Sequence, residues 1–232
     1  MPRRSNYRGR PVLFPLGTVL LIATAAALAA DPSRWLAFLA GVGALGLLDD
    51  LVAGEPRGVR GHARALLRGR LSTGAVKAIG TLGLAVYATA GAGLSAPEQL
   101  AAIGVLALAA HLGNLLDTRP GRSEKALALV AAAVCIGSWS LAALEPVAAM
   151  LGPVAFCAWL TLSERAMLGD SGASLIGGMI GILLVTTLSA AALWLALAAL
   201  IAISLYGEFR SISSAIGRVP LLQRLDSLGR VN

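Results

Sequence analysis

The chain has 232 residues, of which 57% are hydrophobic and only 13% charged, with a mean hydropathy of +0.78. Soluble domains carry about a quarter charged residues, so this composition excludes an ordinary soluble fold and indicates a polytopic membrane protein. The formal net charge of +7 does not point to nucleic acid, because the sequence has no hydrophilic domain to present a basic patch.

A bilayer-crossing helix needs about 20 mostly apolar residues. Eight candidates run along the chain, at 12–30, 35–50, 76–94, 99–117, 125–143, 146–162, 172–188 and 190–207. The expected fold is an all-α membrane bundle of about 8 transmembrane helices, forming a single domain over 1–232. The N-terminal segment 1–11 carries Arg3, Arg4, Arg8 and Arg10. With Ala27-Leu28-Ala29 after the apolar core it imitates a signal peptide, but the core is long and more spans follow, so a retained first span is expected.

A basic loop over 51–75 holds Arg57, Arg60, Arg64, Arg68 and Arg70, with Lys77 at the start of the next helix. Arg119, Arg122 and Lys125 follow the fourth span, Arg165 the sixth, and Arg210, Arg218, Arg224 and Arg230 the eighth. Of the 19 basic residues only Arg34 falls on the other side. Lys and Arg collect in cytoplasmic loops, so both termini and the polar loops are expected in the cytoplasm. The opposite loops, Asp31-Pro32-Ser33-Arg34, Ser95-Ala96-Pro97-Glu98 and Glu145-Pro146, are turns. Only Ser189 separates the last two spans, which requires a tight hairpin or a re-entrant segment. The tail 208–232 mixes Ile212, Ile216, Val219, Leu221, Leu222, Leu225 and Leu228 with basic residues, the pattern of an interfacial amphipathic segment broken at Pro220. Cys135 and Cys157 lie in apolar runs without metal-ligand spacing and are expected as small buried hydrophobes. The preference for Arg over Lys and the abundance of Ala and Gly suggest a GC-rich bacterial source.

Three apolar stretches stop on an aspartate: Leu47-Leu48-Asp49-Asp50, Asn114-Leu115-Leu116-Asp117 and Met167-Leu168-Gly169-Asp170. An acid at the membrane end of a hydrophobic span is costly and usually serves chemistry. The alternating topology puts all four carboxylates on the cytoplasmic face at similar depth. Clustered carboxylates repel unless a cation sits among them, and Mg²⁺ suits hard oxygen ligands, one or two carboxylates completed by substrate phosphates and water. Lys77, Arg119 and Arg122 suit phosphate oxygens. Together these residues point to phosphoryl transfer, where positioning and charge neutralisation carry catalysis. Taken singly each has a structural explanation: Asp49-Asp50 as a solvated helix end, Asp170-Ser171-Gly172 as an N-cap, Asn114 and Asp117 as interhelical hydrogen-bonders, Arg119-Pro120-Gly121-Arg122 as a turn. His111 on the fourth span is expected to bond between helices, and His62 to be a solvated loop residue.

These motifs resemble those of the polyprenyl-phosphate phospho-N-acetylhexosamine transferases, the glycosyltransferase family 4 type that includes the phospho-N-acetylmuramoyl-pentapeptide transferase of peptidoglycan synthesis. Gly46-Leu47-Leu48-Asp49-Asp50 is similar to their acidic pair, and Gly74-Ala75-Val76-Lys77 to the lysine opening the next helix. Asn114-Leu115-Leu116-Asp117 resembles their Asn-Leu-x-Asp motif, and Met167-Leu168-Gly169-Asp170-Ser171-Gly172 their Met-Gly-Asp-x-Gly motif. Glu208 and the serines after it faintly resemble a later Glu-x-x-Ser segment. The order agrees over roughly residues 10–215.

The resemblance implies an enzyme in which a polyprenyl phosphate attacks the sugar-bearing phosphate of a UDP-sugar. Asp170 and Asn114 would hold Mg²⁺, and Asp49 or Asp50 would orient or deprotonate the lipid phosphate. Asp117 would belong to the catalytic group, while Lys77, Asn114, Arg119 and Arg122 would bind substrate. Implied partners are a polyprenyl phosphate lipid and a nucleotide-sugar donor, at the plasma membrane of a bacterium, in cell-wall biogenesis. Relative to the family the chain is shorter, starting after their first helix and stopping before their last, which leaves room for a homodimer or a partner membrane protein. Pro120 stands where the family has a nucleotide-associated aspartate, and the histidine-rich loop of the muramoyl-pentapeptide branch is absent, which sets that donor aside. Two other functions stay open: a non-catalytic polyprenyl-phosphate carrier or flippase-like protein, and a degenerate partner subunit in envelope assembly.

Overall fold

The structure, a computed structural model, describes residues 3–52 and 72–230. Most of the expected basic loop, including Arg57, Arg60, His62, Arg64, Arg68 and Arg70, lies outside the described residues.

The chain opens with a hairpin, β1 (Arg3–Ser5) and β2 (Pro11–Leu13), paired antiparallel with Arg4 opposite Val12. Among the described residues eight helical units follow: α1 (Gly17–Ala30), α2 (Arg34–Leu51), α3 (Thr73–Thr89), α4 (Ala96–Leu116), α5 (Arg122–Ser138), a 3₁₀ turn (Leu141–Val147) running into α6 (Ala148–Leu162), α7 (Gly169–Thr187) and α8 (Ala190–Phe209). Two short helices, α9 (Ile212–Arg218) and α10 (Pro220–Ser227), complete the described chain. The protein is thus nearly all-α. Among the described residues, four helical segments are long and apolar enough to cross a membrane: Ala96–Leu116, Leu141–Leu162, Gly169–Thr187 and Ala190–Phe209.

Each apolar stretch of the sequence contains a helix, and the shifted ends have local causes. The first begins only at Gly17, because Pro15 has no N–H and disfavours helical backbone at Phe14. Residues 11–13 join the hairpin instead. The third ends at Thr89, before a turn in which Gly91 and Gly93 have φ of +72° and +71°. The fourth starts early because the Ser95 N–H donates to Glu98 (2.9 Å) with Pro97 in the first turn, a capping box.

The core is organised around α7, in which fifteen of nineteen residues are buried. Its small residues let neighbouring backbones approach, as membrane helices require when apolar burial gives no drive to associate. A Cβ on Gly113 would run into the Ala173 carbonyl, and one on Gly177 into the Ala109 carbonyl, so α4 and α7 touch main chain to main chain. Gly17 abuts Gly172 and Gly46 abuts Asp170 in the same way.

The pairings fix direction. Gly43 and Gly46 meet Leu175 and Asp170, so α2 runs antiparallel to α7. Gly41 with Leu84 and Gly80 with Leu45 make α2 and α3 antiparallel. Gly104 with Leu197 and Gly207 with Leu115 make α4 and α8 parallel. Ser189 caps α8 by accepting from Ala192 N–H, and the chain turns sharply enough there for α8 to pack on α4, away from α7. One end of the bundle therefore collects the ends of α2, α4 and α8 and the starts of α1, α3 and α7. The outer face exposes Trp194, Leu195, Ile201, Leu205 and Phe209 of α8, a surface suited to lipid.

Candidate functional site

Asp50 ends α2 directly beneath the start of α7. Its carboxylate accepts from the Asp170 N–H (2.9 Å), the Ser171 N–H (3.0 Å) and the Ser171 hydroxyl (2.9 Å), and the residue is buried. The first N–H groups of a helix have no partner within it and carry the positive end of its dipole, so a carboxylate there is favoured. Gly169, at φ +77°, allows this approach, since a Cβ would sit 2.8 Å from Asp50 Oδ2. The cap on α7 thus comes from another helix, rather than from Asp170-Ser171-Gly172 itself. Arg4 of the hairpin lies over Phe14 and donates to the Asp50 carbonyl (3.3 Å).

Asp49 points to the neighbouring helix. Its Oδ1 accepts from the Thr73 hydroxyl (2.6 Å), and its Oδ2 lies 3.7 Å from the Lys77 ammonium. Lys77 also pairs with Asp170 Oδ2 at 2.7 Å, so one cation bridges carboxylates of α2 and α7. The Asp170 side chain stays 43% exposed, which makes it the open edge of the cluster. One turn along α7, the Ser174 hydroxyl donates to Asn114 Oδ1 (3.2 Å). Asp117, at the C-terminus of α4, has its carboxyl pushed well above the usual range, by burial first and then by Glu124 and Asp170; the Gly169 N–H opposes this and Asp50 adds to it. Asp49, Asp50, Lys77, Asn114, Asp117 and Asp170 thus gather at one end of four helices.

The two arginines are used differently. Arg119 stacks over the Tyr7 ring, 4.4 Å from its centre. Arg122 is buried and clamps the tail: its guanidinium grips Asp226 in a bidentate pair (2.8 and 2.9 Å) and donates to Thr118 (2.8 Å) and Ser213 (2.9 Å). This geometry turns Arg122 toward protein rather than toward the acidic cluster.

Several participants carry no signal in the sequence. Thr73, Ser171 and Ser174 are ordinary hydroxyls until the helices bring them to Asp49, Asp50 and Asn114. The hairpin is the larger surprise. Leu13 exchanges hydrogen bonds with Arg165 and Met167, and the Gly17 N–H donates to the Leu168 carbonyl (2.8 Å), so residues 11–17 splint the segment leading into Asp170. Glu164 anchors this splint, buried at φ +53°, by accepting from Tyr7 (2.8 Å) and Asn6 (3.3 Å) and pairing with Arg8 (3.3 Å).

Among the described residues no group of three or more His, Cys, Asp and Glu side chains is arranged to hold a metal ion. The smaller donor set of Asp170, Asn114 and nearby Asp117 consists of hard oxygens. Donors of this type suit a magnesium ion, which takes one or two carboxylates and completes its shell with substrate oxygens and water. No family model, curated protein or solved structure matches the chain.

Proposed function

We propose that this protein is a Mg²⁺-dependent membrane transferase that moves a sugar 1-phosphate from a nucleotide sugar to a polyprenyl phosphate at the cytoplasmic face of a bacterial plasma membrane. The observation that carries the reading is the convergence of four motifs far apart in sequence on one charged cluster, with Lys77 between Asp49 and Asp170. In the proposed reaction a lipid phosphate oxygen bonds to the sugar-bearing phosphorus. The bridge to the nucleoside phosphate breaks, and the nucleoside monophosphate leaves with the electron pair.

Lys77 steadies phosphate oxygens, and Asp49 orients the lipid phosphate or takes its proton. Asp50 keeps the start of α7 in register. Asp170 and Asn114 would hold the magnesium, with Asp117 beside them, and the ion would act as a Lewis acid and template for the diphosphate. On this reading the chain crosses the membrane eight times, and the distribution of Arg supports a cytoplasmic position for both termini and the cluster.

The test uses purified protein in detergent with undecaprenyl phosphate, Mg²⁺ and a panel of nucleotide sugars. Nucleoside monophosphate release that vanishes in Asp49→Asn and Asp170→Asn supports the transferase. Tight lipid-phosphate binding without turnover for any donor makes the protein a carrier instead.

A further inference from the structure

We infer that α10 is a membrane-surface helix whose outer stripe enters the headgroup layer of the bilayer that holds the bundle, with its arginines on anionic lipid phosphates. This rests on membrane embedding and is independent of any transferase activity.

Residues at i, i+4 and i+7 of a helix share one face. Leu221 and Leu225 of α10 have the i, i+4 spacing and are 67% and 38% exposed, and Leu228, which caps the helix, is 67% exposed. Asp226 lies on the other side of the helix, where it is held by Arg122 and by Arg230 (2.7 Å), while the Lys125 ammonium donates to its carbonyl (2.7 Å) and Arg230 to the Pro120 carbonyl (3.0 Å). The clamp therefore fixes which face looks outward, and that face is leucine. Arg224 flanks the stripe and Arg218 precedes it, both exposed.

Two features say what covers the stripe. The clamp ties α10 to the turn after α4, and α9 starts three residues beyond α8, whose last residue Phe209 is 62% exposed. Parallel α4 and α8 both end there, so α10 sits at the membrane end of two candidate spans. A leucine stripe flanked by arginine at that level matches the bilayer interface, where acyl chains lie beneath phosphates.

The test reads one face against the other in nanodiscs. Full-length protein with Cys135→Ala carries a single Leu225→Cys or Gln223→Cys, labelled with an environment-sensitive fluorophore; Cys157 is buried and left in place. In discs containing phosphatidylglycerol, the label at 225 is expected to be quenched at least about twofold more by shallow lipid-borne nitroxide than the label at 223, with aqueous iodide giving the reverse order. Removing phosphatidylglycerol, or combining Arg218→Gln with Arg224→Gln, lowers the lipid quenching at 225. Iodide quenching at 225 equal to that at 223 overturns the proposal. So does Leu225→Cys cross-linking between two copies without lipid quenching. Lipid quenching indifferent to phosphatidylglycerol and to both arginines overturns its anionic-lipid half.

Discussion

Asp50→Asn separates holding the site from performing its chemistry. The carboxylate receives three hydrogen bonds of 2.9–3.0 Å in a buried setting. The amide keeps one oxygen, which serves the Asp170 N–H, while its NH₂ group replaces the oxygen that accepts from the Ser171 N–H. The Ser171 hydroxyl can reverse and accept, but that N–H cannot. The substitution therefore loses one charge-assisted hydrogen bond, leaves a buried donor unpaired and removes an anion from a helix N-terminus, together about 2–4 kcal/mol. Asp49→Asn keeps an oxygen for Thr73 and weakens a partly exposed pairing with Lys77, which costs about 1 kcal/mol or less. The assay is thermal unfolding in detergent, followed by reaction of a thiol dye with buried Cys157. Asp50→Asn should melt well below wild type and Asp49→Asn close to it. Equal melting of the two variants would refute the assignment of Asp50 as the cap on α7.

Four further outcomes are expected. Because burial and acidic neighbours raise the Asp117 carboxyl in the folded state, its own contribution to stability is lost as pH rises above the ordinary carboxylate value of 3.8; metal-free Asp117→Asn should melt at or above wild type at pH 7 while binding Mn²⁺ more weakly, measured by paramagnetic resonance. At Asp226, burial opposes ionisation but Arg122 and Arg230 outweigh it and bring the carboxyl down to about 2, so the clamp's contribution is complete above pH 4 and disappears as pH falls through about 2, followed by anisotropy of a probe on α10. Gly177→Leu drives a side chain into the Ala109 carbonyl and should destabilise by about 3 kcal/mol or more, seen as loss of monodisperse protein on gel filtration. Cysteines at Arg165 and Ser214 should react with an impermeant thiol reagent from the cytoplasmic side, and one at Glu145 from the other; labelling of 165 and 214 from opposite sides would reject the proposed topology.

The helices were legible because each is a long apolar run closed by proline, glycine or a capping serine, all local signals. The acidic ends of α2, α4 and α7 were legible as candidates because a carboxylate beside a hydrophobic span is rare. The trans cap was not legible. Asp170-Ser171-Gly172 has the composition of a self-capping start, and nothing local reveals that an acid 120 residues earlier takes those N–H groups. The hairpin escaped for a similar reason. Arg3, Arg4, Arg8 and Arg10 look like an orientation signal, and the anchoring of the hairpin by Asn6, Tyr7 and Arg8 depends on Glu164, whose left-handed backbone no sequence pattern announces. Arg119 and Arg122 form one basic motif in sequence, yet one stacks on Tyr7 and the other closes on Asp226, a partner 104 residues away.

That division bears on how a donor would be held. The turn after Asp117 is covered by the tail: Arg122 is committed to Asp226, and the Pro120 carbonyl accepts from Arg230. Pro120, in that turn, offers no side-chain oxygen. A nucleotide sugar bound in the proposed way therefore needs its base read elsewhere, while Lys77 and the carboxylates address only the diphosphate. The hairpin supplies the neighbouring surface, with Tyr7 under Arg119 and Arg4 above the end of α2. Tyr7→Ala is then the informative variant, because it removes the ring beneath Arg119 without touching the acidic cluster. If the hairpin reads the donor, the variant raises KM for the nucleotide sugar and leaves KM for the lipid phosphate unchanged. A parallel loss of both would mean that Tyr7 serves only to hold Glu164 and the splint behind Asp170.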